Sequence, residues 1–366
     1  MFLMGIKQIS ERGMQTDRTA AADAELRQIL ESRKTQIKVV GAGGAGNNTI
    51  TRLMQVGIVG AETVAVNTDA QDLLYTDSDK KVLIGKELTS GLGAGADPRV
   101  GMESAKESKE DIKKALQGAD MVFLTCGLGG GTGTGSLPVI AEVAKKMGAL
   151  TVCIVTLPFG MEGKTRMNNA KEGLANLEGL VDTLIVIPND KLLEIVPDVS
   201  LQTAFKVADE VLVNAVKGIA ELVTKPGLVN LDFADVRTVM SESGMAMIGM
   251  GESETDNRAV EAVEKALSNP LISVDVSGAK GALVNVIGGP DITIREAQQI
   301  VENVSQKLAP DAKIIWGAQI SKDLGESVRA MLIITGVKSP QIYSSEKPWI
   351  KEERKDIEKL LDVEFV

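Results

Sequence analysis

Short apolar runs alternate with helix-like stretches along the first half of the chain. We predict strands at residues 37–40, 63–66, 82–84, 121–126, 150–156 and 184–187, with helical segments between them. Strands buried on both faces of a parallel sheet are typically continuous apolar runs rather than alternating ones. Strands that alternate with helices form βαβ units, so the pattern predicts an α/β fold with a doubly wound parallel sheet.

A long helix is predicted over residues 201–223, where apolar positions cover more than one face. Gly218 is its one internal breaker, and Pro226 with Gly227 ends it. A helix that is apolar around most of its circumference packs between two bodies. We therefore expect this central helix to join the sheet domain to the part of the chain that follows.

The remainder of the chain predicts a smaller α+β domain. Helical patterns at 236–243, 257–267 and 294–307 are mixed with strand patterns at 282–287, 313–316 and 330–335. The expected organisation is a helical extension at 1–36, a first domain at 37–227 that includes the central helix, a second domain at 228–338 and a tail at 339–366.

The tail carries apolar residues at roughly helical spacing. It either packs against the body of the protein or docks a partner. These residues are Trp349, Ile350, Ile357, Leu360 and Leu361.

Composition and charge narrow the function. The net charge is −10, and no basic run interrupts it, so we expect no nucleic-acid partner. No apolar run is long enough to cross a bilayer, so we expect no direct membrane insertion. Cys126 and Cys153 both lie in apolar runs and are expected to be buried thiols in a reducing cytoplasm.

The chain contains no histidine. Its absence removes the Ser-His-Asp and Cys-His triads, the usual zinc sites and the commonest acid–base catalyst. Any chemistry must therefore rest on carboxylates, amides, hydroxyls, Lys, Arg and a bound metal.

A glycine-rich stretch, Gly127 to Gly135, follows a predicted strand and precedes a helix predicted over 138–147. Glycine permits positive φ and close approach to a ligand, so we expect these residues to cradle a polyphosphate rather than to fill a core. The candidate binding residues are Gly130, Gly131, Thr132, Gly133, Thr134 and Gly135.

A second candidate cradle, from Gly41 to Gly46, has the spacing G-x-G-x-x-G between a strand and a helix. Alone it fits a dinucleotide or another phosphate ligand equally well, and Asp69 lies near the position of a ribose-binding acid. Two cradles on one sheet favour a triphosphate held from both sides. Neither contains the Gly-Lys-Ser/Thr of a P-loop. The candidate residues are Gly43, Gly44, Ala45, Gly46, Asn47 and Asn48.

A third glycine-rich piece covers residues 89–95. It is either a simple turn or a loop whose amides reach the terminal phosphate. Its candidate residues are Gly93, Ala94 and Gly95.

Five residues are candidates for holding a nucleoside. Glu162 and Arg166 are four apart, which fits either an exposed helical ion pair or contacts to ribose hydroxyls and nucleotide oxygens. Asn189 follows a strand. Phe205 and Asp209 share a helix face, where the ring is either core or a stacking platform for a purine. The carboxylate would accept from guanine N1–H and N2–H and would repel adenine N1.

Asp232 and Asp235 are spaced i, i+3 at the start of a predicted helix. They either cap that helix or, ionised and favoured by its dipole, orient a water or hold a hydrated cation. The central helix, at ~1.5 Å per residue, separates them from the glycine loops. We expect the acids and the loops to meet between two molecules.

These residues resemble the tubulin/FtsZ family. Residues 130–135 match the tubulin-type signature, and 158–166 and 230–235 match further family segments, in order over about 37–338. The resemblance implies a cell-division GTPase that assembles head to tail into protofilaments. It implies GTP or GDP as ligand, Mg²⁺ as counter-ion to the phosphates, and Asn230, Asp232 and Asp235 acting in trans.

The same resemblance implies that Gly44 to Asn48 and Gly131 to Gly133 hold the phosphates. It implies that the nucleoside is held by Glu162, Arg166, Asn189, Phe205 and Asp209. The family implies a cytoplasmic protein at the division site and a membrane-tethering adaptor as partner. Members of the family commonly carry a long linker before an adaptor-binding tail, and the sequence departs from that pattern with only 339–366 after the second domain. Two alternatives remain, an NAD-dependent oxidoreductase and a tubulin-like nucleotide-binding protein that does not polymerise.

Overall fold

The computed structural model describes residues 35–195, 200–225, 227–229, 231–268 and 276–337. The predicted N-terminal helical extension, Asn230 and the tail at 339–366 lie outside these ranges.

Ten strands form one sheet in the order β3-β2-β1-β4-β5-β6-β7-β10-β8-β9. The strands are β1 (Ile37–Ala42), β2 (Ala61–Asn67), β3 (Lys80–Leu83), β4 (Met121–Gly127), β5 (Leu150–Leu157), β6 (Thr183–Pro188), β7 (Gly244–Ser253), β8 (Gly281–Gly288), β9 (Lys313–Ile320) and β10 (Val328–Thr335).

The helices of the described ranges, numbered in chain order, are α1 (Gly43–Val56), α2 (Ala70–Tyr75), α3 (Lys86–Thr89), α4 (Pro98–Glu107), α5 (Lys109–Leu116), α6 (Thr132–Lys146), α7 (Lys164–Leu177), α8 (Asn189–Ile195), α9 (Leu201–Thr224), α10 (Phe233–Met240), α11 (Arg258–Leu267) and α12 (Ile294–Ser305).

The first six strands are all parallel and confirm the predicted doubly wound sheet. Their order, 3-2-1-4-5-6, reverses direction between β1 and β4. In open α/β sheets the ligand crevice lies at the carboxyl ends of the strands at this switch point. The fold therefore places a ligand crevice at the loops that follow β1 and β4.

The second half of the sheet is mixed. Strand β7 continues parallel to β6, β10 is antiparallel to both β7 and β8, and β9 is parallel to β8. The sheet of the smaller α+β part is thus continuous with the first. Strand β7 was not predicted, because its segment is rich in glycine and methionine, which have weak strand signals.

The central helix α9 packs on both halves of the sheet, as predicted. Val216 and Ile219 belong to one buried cluster with Val39 from β1, and with Ile248 and Ile333 from the second half. Burial on several faces explains the apolar composition of this helix.

Helix α9 runs from the carboxyl edge of the parallel strands to their amino edge. Near its start, the ring of Phe205 contacts that of Phe159, just after β5. At its end, Thr224 Oγ1 donates to the carbonyl oxygen of Val59, just before β2. Its 24 residues span roughly 36 Å at 1.5 Å per residue. The helix therefore separates the two edges of the sheet by its own length.

Both cysteines are buried in the sheet, as expected, and burial raises the pKa of each thiol. Within the described ranges, we find no helix with the length and apolar character needed to cross a membrane.

Candidate functional site

The first glycine loop is short, because α1 begins at Gly43, directly after β1. Gly43 has φ +70°, and a Cβ there would lie 2.8 Å from the amide nitrogen of Gly133. Gly44, Ala45 and Asn48 are exposed at this helix N-terminus, whereas Gly46 is buried. The exposed residues present the helix start, which favours an anion, at the switch point.

The second loop follows β4 and leads directly into α6, which begins at Thr132, six residues before the predicted start. Gly129 has φ +104°, and its amide donates to the hydroxyl of Thr134 at 2.9 Å. Apart from its two neighbours in sequence, Gly130 has no described protein atom within 4 Å of the position a Cβ would take. The loop therefore opens toward the crevice at Gly130, while Thr134 holds its shape from inside.

Several glycines of this stretch serve packing, which corrects the expectation that they do not fill a core. A Cβ on Gly133 would lie 2.8 Å from the carbonyl oxygen of Ala42. One on Gly135 would collide with the carbonyl oxygen of Pro98 and lie 2.6 Å from the amide of Met102. Because both positions are buried, these glycines bring α6 against its neighbours.

The third loop is held under backbone strain beside the second. Gly93 and Gly95 have positive φ, and so do the non-glycine residues Ser90 and Ala96, at 52° and 62°. Such strain is typical of functional loops. Ala94 is buried against Gly131, where an added Cβ would approach to 2.9 Å. The loop is therefore a constrained part of the crevice wall and not a free turn.

Sequence reasoning missed the side chains that tie these loops together. Asn169 on α7 donates to the carbonyl oxygens of Ala96 and Gly129, each at 3.4 Å. The hydroxyls of Thr68 and Thr132 are 2.7 Å apart and join the end of β2 to the start of α6. No local motif marks these residues, since their partners are distant in sequence.

Glu162 and Arg166 form the ion pair that the spacing allowed, with 3.1 Å between Oε2 and Nε. Glu162 also accepts from the amide of Phe159 at 2.8 Å. The side chain of Arg166 is half exposed, and its helix passes against Gly129. The pair lies beside the second loop, so a guanidinium is available there without a large movement.

Two amide oxygens at the crevice are buried and have no hydrogen-bond partner within the described part of the chain. They are Oδ1 of Asn47, on α1, and Oδ1 of Asn189, at the start of α8. The side-chain nitrogen Nδ2 of Asn47 donates to Oδ2 of Asp72 at 3.1 Å. A buried polar atom without a partner is costly, so these oxygens fit a site that a polar ligand completes.

Phe205, on the mostly apolar helix α9, is exposed over 41% of its surface. One turn along the same face, Asp209 lines a groove of about 330 Å³ with Asn48, Arg52 and Lys206. Burial raises the pKa of the Asp209 carboxyl to about 6, against the opposing attraction of Arg52. An aromatic face and a partly buried acid thus adjoin the first glycine loop.

Asp232 and Asp235 lie at the opposite edge of the sheet. Both are exposed at the start of α10, and the side chain of Asp232 makes no capping hydrogen bond to the described chain. Arg237 of the same helix donates to the carbonyl oxygens of Asp120 and Gly148, which precede β4 and β5. The acids therefore lie on the side of the sheet where β4 and β5 begin, whereas the first two glycine loops follow the carboxyl ends of β1 and β4.

Metal ligands are sparse. Over the described residues there is no group of three or more His, Cys, Asp or Glu side chains that could hold a metal ion. A magnesium ion bound mainly through phosphates needs only one or two carboxylates from the protein. The donor set fits a metal that arrives with a nucleotide and does not fit a resident all-protein site.

Together, the strand order and the loops at the switch point define an α/β nucleotide-binding protein. The GTPase domain of the Tubulin/FtsZ family matches residues 36–197, and the C-terminal domain of the FtsZ family matches residues 244–338.

Relatives match over nearly the whole chain. Cell division protein FtsZ 1 of Thermococcus kodakarensis is 59% identical over 93% of this chain and 92% of its own length. The protein of the same name from Methanocaldococcus jannaschii is 62% identical over 87% of both chains. The solved structure titled FtsZ dimer, empty, from M. jannaschii has a TM-score of 0.82 and 62% identity, covering 86% of this chain and 92% of that one.

The chain belongs to the Tubulin/FtsZ family, and it is a GTPase that binds GTP and GDP. Family membership confirms the resemblance inferred from the signature residues and decides against the NAD-dependent oxidoreductase.

Proposed function

We propose that this protein is a cell-division GTPase that assembles head to tail, with each nucleotide held between the carboxyl edge of one subunit and the amino edge of the next. The observation that carries the proposal is the separation of the two half-sites. The glycine loops follow β1 and β4, while Asp232 and Asp235 lie at the start of α10, which Arg237 bonds to the carbonyls that precede β4 and β5. One molecule alone cannot bring its own acids to its own nucleotide.

The phosphates are held by backbone amides. The start of α1 at Gly44 and Ala45, the second loop at Gly130 and Gly131, and the third loop at Gly95 converge on the crevice. Helix N-termini and successive backbone amides favour anions. Gly133, Thr134 and Gly135 contribute by shaping the loop, because a Cβ on either glycine would meet neighbouring backbone and the Thr134 hydroxyl accepts from the amide of Gly129. Thr132 lies between the two sets, half exposed at the start of α6.

The nucleoside is held by side chains at the same edge. The exposed ring of Phe205 stacks on the purine, and Asp209 accepts from guanine N1–H and N2–H. The unpartnered oxygen of Asn189 accepts from the base or the ribose, and Glu162 with Arg166 contacts the sugar and phosphate oxygens. Carboxylate recognition of a base edge favours guanine over adenine, which has no N1–H.

Magnesium accompanies the triphosphate in this proposal. Asp72, whose Oδ2 lies 4.0 Å from the Cβ position of Gly44, is the carboxylate nearest the first cradle and would hold a water of the hydrated ion. The ion would neutralise charge on the phosphate oxygens.

Hydrolysis requires a water aligned with the terminal phosphate. Asp232 and Asp235 of the next subunit accept hydrogen bonds from that water and orient it, with Asn230 as a third polar group. Positioning of the nucleophile accounts for much of nucleotide hydrolysis. The reaction therefore depends on assembly.

The division role is supported by the relatives, which are named cell division proteins, and self-association by the relative solved as a dimer. We place the protein in the cytoplasm at the division site. A membrane-tethering adaptor is the further partner in this proposal, and the folded units are 37–227 and 228–338.

Specific activity against protein concentration tests the proposal. GTP turnover per molecule should rise steeply with concentration and level off once filaments form. Asp235→Ala should abolish turnover and leave GTP affinity almost unchanged. Constant turnover per molecule at all concentrations would favour a tubulin-like protein that does not polymerise, and equal loss of binding and turnover in Asp235→Ala would contradict the trans arrangement.

A further inference from the structure

Arg237 ties helix α10 to the amino edge of the sheet. Its Nη2 donates to the carbonyl oxygens of Asp120 and Gly148, each at 3.3 Å. These carbonyls come from the segments that precede β4 and β5. A guanidinium carries five donors in a planar fork, so one side chain can bond two backbone segments at once.

The same guanidinium lies over the ring of Phe233, with 5.2 Å from its central carbon to the ring centroid. Phe233 is four residues earlier in α10, so both side chains lie on one face of the helix. The contact fixes the direction in which the guanidinium reaches, because a cation is attracted to the ring face. Arg237 is therefore held from the helix side and from the sheet side.

Arg237 and Asp235 lie on opposite faces of helix α10. Asp235 and Arg237 are two residues apart, which is roughly 200° around a helix of 3.6 residues per turn. Val236, between them, is fully buried, whereas Asp235 is exposed. Fixing Arg237 against the sheet thus turns Asp235 away from its own molecule.

Among the described residues, two further side-chain hydrogen bonds hold α10 at its far end. Thr183 Oγ1 donates to the carbonyl oxygen of Met240 at 2.5 Å, and Thr335 Oγ1 donates to that of Val239 at 3.3 Å. Neither bond restrains the first turn, where Asp232 makes no capping hydrogen bond to the described residues. Of these contacts, those of Arg237 lie closest to the acids.

We propose that Arg237 is a positioning residue for hydrolysis in the neighbouring subunit. It sets the direction of Asp232 and Asp235 without touching the nucleotide. The inference rests on the proposed trans arrangement and adds to it the residue that fixes the geometry.

Strand β4 then connects the two half-sites of one subunit. Its amino end follows Asp120, which bonds Arg237, and its carboxyl end is Gly127, which opens the second phosphate loop. Seven residues at about 3.3 Å each span roughly 23 Å. Arg237 thus fixes the acids relative to β4, the same strand that carries the subunit's own phosphate loop at its other end.

Arg237→Ala and Arg237→Lys test the inference in full-length protein at a concentration above that needed for assembly. For Arg237→Ala we expect kcat for GTP to fall on the order of 10- to 100-fold, since a small misplacement of a positioning group has that effect. GTP affinity of the unassembled protein and the amount of sedimented filament at saturating GTP should stay near those of the wild type. Arg237→Lys keeps one charged donor and should recover part of the lost kcat.

Asp235→Ala, measured in parallel, distinguishes a failure of the Arg237 positioning role from a failure of the trans arrangement. If Asp235→Ala loses turnover and Arg237→Ala keeps it, the positioning role is wrong and the trans proposal stands. If Asp235→Ala itself keeps turnover, the trans proposal is wrong.

A purely structural role is distinguished by thermal unfolding. Should Arg237→Ala lower the melting temperature strongly, Arg237→Gln, which keeps a neutral donor, is measured in its place. A fall in folded fraction with kcat per folded molecule unchanged would overturn the inference.

Discussion

The rings of Phe205 and Phe159 meet edge to face, with centroids 5.2 Å apart and planes at 84°. Phe159 is buried, and Phe205 is 41% exposed. The buried ring supports the exposed one from the side, as aromatic pairs prefer. One ring face at the carboxyl edge of the sheet is thereby held ready for a planar ligand.

Phe205→Ala should weaken GTP binding, because stacking on an aromatic ring contributes about 1–3 kcal/mol per base. We expect the dissociation constant to rise on the order of 10-fold or more. Phe205→Tyr, which keeps the ring, is the matched control and should bind GTP nearly as the wild type does. Equilibrium titration of the unassembled proteins measures both, and equal affinity in all three would exclude the stacking role.

Asp209 predicts a pH dependence of nucleotide affinity. Burial raises the pKa of this carboxyl from its usual 3.8 to about 6 in the free protein. Guanine N1–H and N2–H donate to the ionised form, so binding must release the proton wherever the carboxyl is protonated. GTP affinity should therefore rise with pH through about 6 and level off above it.

Asp209→Asn is the control for this titration, because GTP phosphates also bind protons near the same pH and do so equally in both proteins. The variant should bind GTP more weakly at neutral pH. Its GTP affinity should also lack the rise with pH that ionisation of the Asp209 carboxyl causes in the wild type. A pH profile parallel to that of the wild type would show that Asp209 does not contact the base.

The glycines of the second loop should separate into two classes. Gly130→Ala adds a methyl group where no described protein atom beyond its two sequence neighbours lies within 4 Å, so we expect an unchanged melting temperature and weaker GTP binding. Gly135→Ala forces the new methyl against the carbonyl of Pro98 and should lower the free energy of unfolding by about 1–3 kcal/mol.

Urea unfolding and GTP titration of the two variants decide the point. If Gly130→Ala unfolds early and Gly135→Ala does not, the division between binding and packing glycines is wrong.

Arg258 and Glu296 predict an acid-dependent stability in the second half of the sheet. Arg258 Nε lies 2.6 Å from Glu296 Oε1, and this bond holds the pKa of Glu296 at about 2, below its usual 4.5. A depressed folded-state pKa stabilises the protein above the unfolded value. That contribution is complete above about pH 4.5 and is lost as the pH falls through about 2.

The free energy of unfolding should accordingly be lower in Glu296→Gln than in the wild type at pH 6, with the difference shrinking below pH ~4. Glu302→Gln, on the same helix and bonded to Gln298, is the control and should show a smaller difference. A constant difference between Glu296→Gln and the wild type across this range would contradict the linkage.

Much of the fold followed from apolar runs, since strands buried on both faces leave a strong signal. The long helix α9 was predicted to within one residue at its end for the same reason. Strand β7 was missed because Gly244, Gly249 and Gly251 break its apolar pattern, and its pairing with β6 and β10 is visible only in three dimensions.

The candidate site was predictable where chemistry depends on local spacing. Sequence could indicate the loops around Gly43 and Gly130 because a phosphate cradle is a continuous segment. It could not separate Gly130 from Gly135, since that difference depends on the neighbour Pro98. Asn169 and Arg237 were invisible as site residues because each acts on backbone carbonyls far away in the sequence.

Complementation between two inactive variants tests the trans arrangement most directly. Asp235→Ala keeps an intact nucleotide crevice and loses an acid, whereas the double variant Phe205→Ala with Asp209→Ala keeps the acids and loses its base contacts. At a GTP concentration too low for the double variant to bind, neither protein alone should release phosphate. Their mixture should, because GTP on the first meets acids from the second. A mixture as inactive as its components would contradict the account.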